Sequence, residues 1–152
     1  MNPVQLLKAD HKAVEGLFRK VEKSAAREHV PIFKQIKSEL EAHAWVEESV
    51  FYPHLQAGGN QALVELTSEA VQEHMQMKAF LGELDVATAV KDKFEPLLIK
   101  LIEDVRHHVA EEENEMFPMA ESQFSTEEWE ELGEEMEFEK ERFLASAESA
   151  YN

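Results

Sequence analysis

Apolar residues recur along most of this chain at alternating steps of three and four, the spacing that sets one side of an α-helix against a core. The first stripe is Val4, Leu7, His11, Val14, Phe18 and Val21, opened by Pro3, which suits a first helical turn. It breaks near Glu28 to Pro31, because proline disfavours helix for the residue before it. A second stripe follows in Phe33, Ile36, Leu40, His43, Glu47, Val50 and His54, and Gly58-Gly59-Asn60 ends it. The third runs through Leu63, Leu66, Ala70, His74, Met77, Leu81 and Leu84. The fourth takes Phe94, Leu97 or Leu98, Leu101, Val105, His108, Glu112 and Glu115 or Met116, with Pro96 expected in its first turn. That spacing turns His108 inward and leaves His107 in solvent beside Lys100, Glu103 and Glu111. Beyond Pro118, Ser125 and Glu128 predict a helix-capping box, and Trp129, Leu132, Met136, Phe143 and Ala147 form a fifth, less complete stripe.

These elements predict an all-α protein, an up-down-up-down antiparallel four-helix bundle over residues 1–120. An additional acidic C-terminal helix over residues 121–152 is expected to pack on or beside the bundle. A length of 152 residues is enough for one domain to bury its own core.

Composition narrows the chemistry. The chain has no cysteine, so imidazole and carboxylate are its strong metal ligands. Its formal charge is −17, and residues 103–152 contribute −14 of it. Such a field repels phosphate backbones, so nucleic acid is not an expected partner, whereas the acidic last helix is a candidate surface for a protein. No apolar run approaches the roughly 20 residues of a membrane span, and no basic start leads into an apolar leader, so a cytoplasmic location is expected.

Six polar residues sit where the stripes call for hydrocarbon: His11, His43, Glu47, His74, His108 and Glu112. Two of the segments share one layout, His43-Ala44-Trp45-Val46-Glu47-Glu48-Ser49-Val50-Phe51-Tyr52-Pro53 and His108-Val109-Ala110-Glu111-Glu112-Glu113-Asn114-Glu115-Met116-Phe117-Pro118. Residues four apart share a helix face, so the His and the first Glu of each segment reach the same point. The midpoints between successive polar sets fall at residue 28, between Gly59 and Asn60, and at residue 92, each in an expected turn. All six therefore lie at one level of an antiparallel bundle. Two carboxylates buried together cost several kcal/mol unless protonated or neutralised, and a pair of metal ions removes that cost. Mixed imidazole and carboxylate without sulfur suits iron, manganese or zinc. No histidine has Glu three residues before it, which sets the pattern apart from the Glu-x-x-His of ferritin-like centres.

The set His11, His43-x-x-x-Glu47, His74, His108-x-x-x-Glu112 resembles the hemerythrin-like family, the HHE cation-binding domain, over roughly residues 3–120. The resemblance implies a non-haem di-iron centre held by these six residues, with Glu47 and Glu112 bridging the metals beside an oxo or hydroxo bridge. Manganese or zinc would be substitutes. The oxygen-carrying members have a second His one turn after the third-helix ligand, where this chain has Lys78. They also have Asp five residues after the last His, where this chain has Glu112 at four. The pattern is closer to the microbial hemerythrin-like proteins. Four histidines divided two and two leave an exchangeable position on each metal, which Glu15, Glu48, Glu113, Tyr52 or His107 are candidates to close, Glu15 foremost. The expected function is binding of, or reaction with, O2, peroxide or NO in sensing, detoxification or delivery. The alternative is an iron-responsive regulatory module whose fold or partner contacts depend on loading.

Overall fold

The computed structural model describes residues 1–151, with side chains through residue 147; Asn152, the end of the expected C-terminal segment, lies outside the described residues. Among the described residues there are five helical rods and no strand. The first is α1 (Pro3–Lys23), started by a reciprocal cap in which Asn2 accepts from the Gln5 N–H and the Gln5 side chain accepts from the Asn2 N–H. A 3₁₀ turn, Ala26–Glu28, leads into α2 (His29–Val46). The second rod continues through a π turn, Glu47–Phe51, into α3 (Tyr52–Ala57). Gly59, at φ 77°, makes the corner to α4 (Gln61–Ala87).

The fourth rod is α5 (Lys91–Glu111), a second π turn (Glu112–Met116) and α6 (Phe117–Glu121). Here α5 begins earlier than expected, so Pro96 lies within the helix and not in its first turn. The last is α7 (Thr126–Tyr151), capped by the expected Ser125–Glu128 box.

Both π turns arise from the repeated proline. Pro53 and Pro118 have no N–H to donate, and in an unbroken α-helix each ring would press on the carbonyl four residues back. One extra residue in the turn relieves this: the Tyr52 N–H donates to the Glu47 carbonyl and the Phe117 N–H to that of Glu112. The prolines therefore widen their helices and do not end them. The insertion also shifts the buried stripe by one position. Tyr52 and Leu55 are buried while His54 faces outward, and Met116 is the residue buried in the second repeat.

The apolar core falls into two clusters with the polar level between them. One gathers Leu7, Phe51, Tyr52, Leu63, Phe117, Trp129 and Met136; the other gathers Phe18, Phe33, Ile36, Leu84, Phe94 and Leu98. α1 and α4 run from the first cluster into the second, and α2 and α5 return. α7 lies against α1 and α2, burying Trp129, Leu132 and Met136. The chain start passes so close to it that a Cβ on Gly133 would stand 2.1 Å from the Met1 carbonyl oxygen. His29, at the start of α2, ties the first corner together: Nδ1 pairs with Glu95 at 2.8 Å and Nε2 donates to the Val21 carbonyl at 2.9 Å.

Candidate metal centre

All six polar residues that the stripes single out arrive at one buried level. Glu47 is 0% exposed and Glu112 1%, and the four imidazoles are buried around them. The helical spacing puts His43 and His108 one turn before their glutamates, with His43 Nε2 3.2 Å from Glu47 Oε1 and His108 Nε2 3.5 Å from Glu112 Oε1. The other two rods supply His11 Nε2, 3.2 Å from Glu112 Oε1, and His74 Nε2, 3.2 Å from Glu47 Oε1. Two groups of mutually close ligand atoms result: His11, His43 and Glu112, and Glu47, His74 and His108. Each carboxylate also reaches into the other group, Glu47 to His43 and Glu112 to His108.

Every imidazole turns Nε2 inward and offers Nδ1 to a carboxylate outside. Asp10 takes His43 at 3.0 Å, Glu73 takes His108 at 2.8 Å and Glu113 takes His11 at 2.9 Å. Glu48 stands 3.4 Å from His74 Nδ1, an ion-pair distance without hydrogen-bond geometry. Each outer acid is the chain neighbour of an inner residue on the previous rod, so the four pairs close a ring around the bundle. The ring has a two-fold pattern: Asp10-His11 with His43, Glu47 and Glu48 repeats as Glu73-His74 with His108, Glu112 and Glu113. An acceptor on Nδ1 fixes the tautomer and leaves Nε2 with a lone pair for a cation. Two of these partners, Asp10 and Glu73, went unassigned in the sequence pattern, although the acid-His doublets carry the signal; Glu48 and Glu113, expected as candidates for the metal's open positions, instead face Nδ1 of His74 and His11.

Tyr52 closes the level from above, its hydroxyl donating to Glu112 Oε2 at 2.6 Å. Burial and then the charge of Glu112 push its phenol well above the usual tyrosine range. Glu15 is displaced from the role expected of it, because Arg106 takes its carboxylate at 2.8 and 3.0 Å and Arg19 at 3.3 Å. His107 is exposed and pairs with Glu111 at 2.8 Å.

The donor set fits a cation. Among the described residues, both oxygens of Glu47 and Nε2 of His43 are buried with no hydrogen-bond partner, an arrangement that desolvation penalises unless something positive sits among them. Burial alone would lower the His43 pKa, but Glu47 and Asp10 hold it well above the imidazole range. His74 rises to about 9 in the same way, held up by Glu47 and Glu48 against the effect of burial. Without a metal, protons on the imidazoles are the nearest available positive charge.

A model of the hemerythrin HHE cation binding domain matches residues 2–120. The chain belongs to the hemerythrin HHE cation-binding domain family. A solved HHE domain-containing protein from Mycobacterium kansasii is similar in structure, with 28% identity, a TM-score of 0.82, and coverage of 97% of this chain and 90% of that one. A protein named DNA nickase from Nostoc sp. is 28% identical over 136 residues, 89% of this chain. The HHE chain spans only 38% of that relative's length. The family and the clustered His and Glu side chains agree on metal binding as the property of this level.

Proposed function

We propose that this HHE domain is a non-haem di-iron protein that binds or reacts with O2, peroxide or NO. His11, His43, Glu47, His74, His108 and Glu112 would hold the pair of ions, and the two glutamates would bridge them. The observation that carries this reading is the Glu47 carboxylate, wholly buried, without a hydrogen-bond donor and between imidazoles of both groups. The bundle order we propose is up-down-up-down with α7 alongside, supported by the alternate passage of the rods between the two apolar clusters.

Iron, when bound, would supply one-electron equivalents in pairs to a small oxidant. The protein's own part is orientation and exclusion. The outer carboxylates keep the Nδ1 protons in place, and the Tyr52 O–H fixes the rotamer of Glu112. Two apolar clusters keep bulk water from above and below. The cavities that touch the level, about 120 Å³ beside His74 and His108 and about 400 Å³ beside His11, suit small ligands.

Reconstitution with ferrous iron followed by air tests the proposal. Two irons per chain and a charge-transfer absorption bleached by dithionite are expected. A colourless protein, indifferent to reductant, contradicts it.

A second reading is an iron-responsive regulator in the cytoplasm, favoured by one contact: Lys140 of α7 donates to Asp10 Oδ1 at 2.6 Å while Asp10 Oδ2 holds His43. Loading at His43 is thereby tied to the acidic helix. An unchanged melting temperature on chelation would remove this reading. DNA nicking is not part of the proposal, because a charge of −17 disfavours contact with phosphate. Relaxation of supercoiled plasmid by the iron-loaded domain would show otherwise.

A further inference from the structure

The two-fold pattern of the outer ring is broken at one place. Asp10 and Glu73 occupy corresponding positions, each preceding an inner His and each holding Nδ1 of the next rod's His. Asp10 is buried under α7 and neutralised by the Lys140 ammonium. Glu73 has no such cover. Among the described residues no lysine or arginine pairs with it; its neighbours are Glu111 and His107, whose ligand atoms and its own all lie within 4.8 Å of one another. Two carboxylates and an imidazole thus meet at a half-exposed point where the other half of the molecule places an ammonium.

This point has an opening behind it. A cavity of about 120 Å³ between α4 and α5 is walled by Glu73 and His107 outside and by His74 and His108 inside. His74 is 2% exposed, with its Nδ1 turned to Glu48 at 3.4 Å. Asp104, also on the wall, is paired with Lys100 at 3.3 Å and adds little net charge. The corresponding acid at the α1–α2 side is sealed by α7, and the α1–α5 cavity is lined by three basic side chains, Lys8, Lys12 and Arg106, against two acidic ones, Glu15 and Glu113. The α4–α5 mouth is the negatively lined way in.

The geometry points to a second, outer divalent-cation site formed by Glu73, His107 and Glu111, where an incoming transition-metal ion docks on its way to the buried pair. One carboxylate oxygen of Glu73 accepts from His108 Nδ1, so the docking residue is in direct contact with an inner ligand. One imidazole and two carboxylates select ions of the Fe²⁺, Mn²⁺ and Zn²⁺ kind over Ca²⁺. Being partly exposed, the site holds its ion more weakly than the buried level does. The docking role rests on the proposed metal centre, but the site itself does not.

The test uses the full metal-free chain and His107→Ala combined with Glu111→Gln, both on the outer surface, with Glu73 left intact because it holds His108. Mn²⁺ uptake is followed by the EPR signal of the free ion. The wild type is expected to bind one equivalent more than the variant, the tight equivalents being the same in both. Anaerobic Fe²⁺ loading of the buried level is expected to be slower in the variant and to reach the same final content. Equal Mn²⁺ uptake, or loading at unchanged speed, overturns the proposal. One equivalent in the wild type and none in the variant would keep the outer site and instead refute the buried centre.

Discussion

Asp10→Asn tests whether the outer acids govern the inner histidines. The carboxylate accepts from His43 Nδ1 at 3.0 Å through one oxygen and from Lys140 Nζ at 2.6 Å through the other. An asparagine of the same shape has only one acceptor, so whichever way its amide turns, one donor meets an NH2 group. A hydrogen bond to a charged group contributes about 1.5–3 kcal/mol, and a buried donor left unpaired costs a similar amount. Loss of one such contact, about 2 kcal/mol, corresponds to a fall in Tm of about 4–8 °C for a chain of this size. Loss of a carboxylate behind a ligating His typically weakens metal binding about 10–100-fold. Lys140→Met removes only the α7 side of the pair. Calorimetry of the metal-free proteins and competition against a chelator give the two readouts. Both variants are expected to melt earlier, and only Asp10→Asn to lose affinity. Equal affinity in Asp10→Asn and the wild type would refute the positioning role.

Other outcomes follow from the same geometry. Despite burial, neighbouring carboxylates hold His43 well above the ordinary imidazole value and His74 at about 9, so in the metal-free protein these two carry protons at pH 7. Their Nε2 protons must leave for a cation to bind, so loading releases protons and weakens as pH falls; calorimetric titration in buffers of different ionisation enthalpy should show it, and no release would contradict it. His74→Ala is expected to lower iron content sharply while His107→Ala leaves the buried content intact; equal losses would mean that α5 presents the other histidine inward. Hydrogen bonds from Arg106, against a smaller effect of burial, hold Glu15 below its usual 4.5. That contact therefore stabilises the fold above the usual value and is lost as pH falls through the lowered one. Arg106→Leu should narrow the stability difference between pH 7 and pH 3, as read from urea midpoints.

The inner residues were legible because helical periodicity is a strong constraint. His11 or His74 in a run of Leu, Val and Met has a phase that only burial explains, and the repeat around Glu47 and Glu112 states the pairing directly. What escaped the sequence was lateral. Asp10 and Glu73 sit one residue off the buried stripes, where an acid looks like ordinary solvated surface, and their partners lie on another helix. Glu15, one turn from His11, has the right height but the wrong azimuth, and Arg106 claims it. The phase after Glu47 failed for a local reason: a proline reads as a stop, yet a single π turn absorbs it and carries the helix on to Ala57.

The proposed centre requires two ions between Glu47 and Glu112. Crystals of the iron-loaded protein, measured on both sides of the iron absorption edge, test it most directly. Two anomalous peaks are expected, one beside His11 and His43 and one beside His74 and His108, each within bonding distance of both glutamates. A single peak, or density confined to the outer surface, would contradict it.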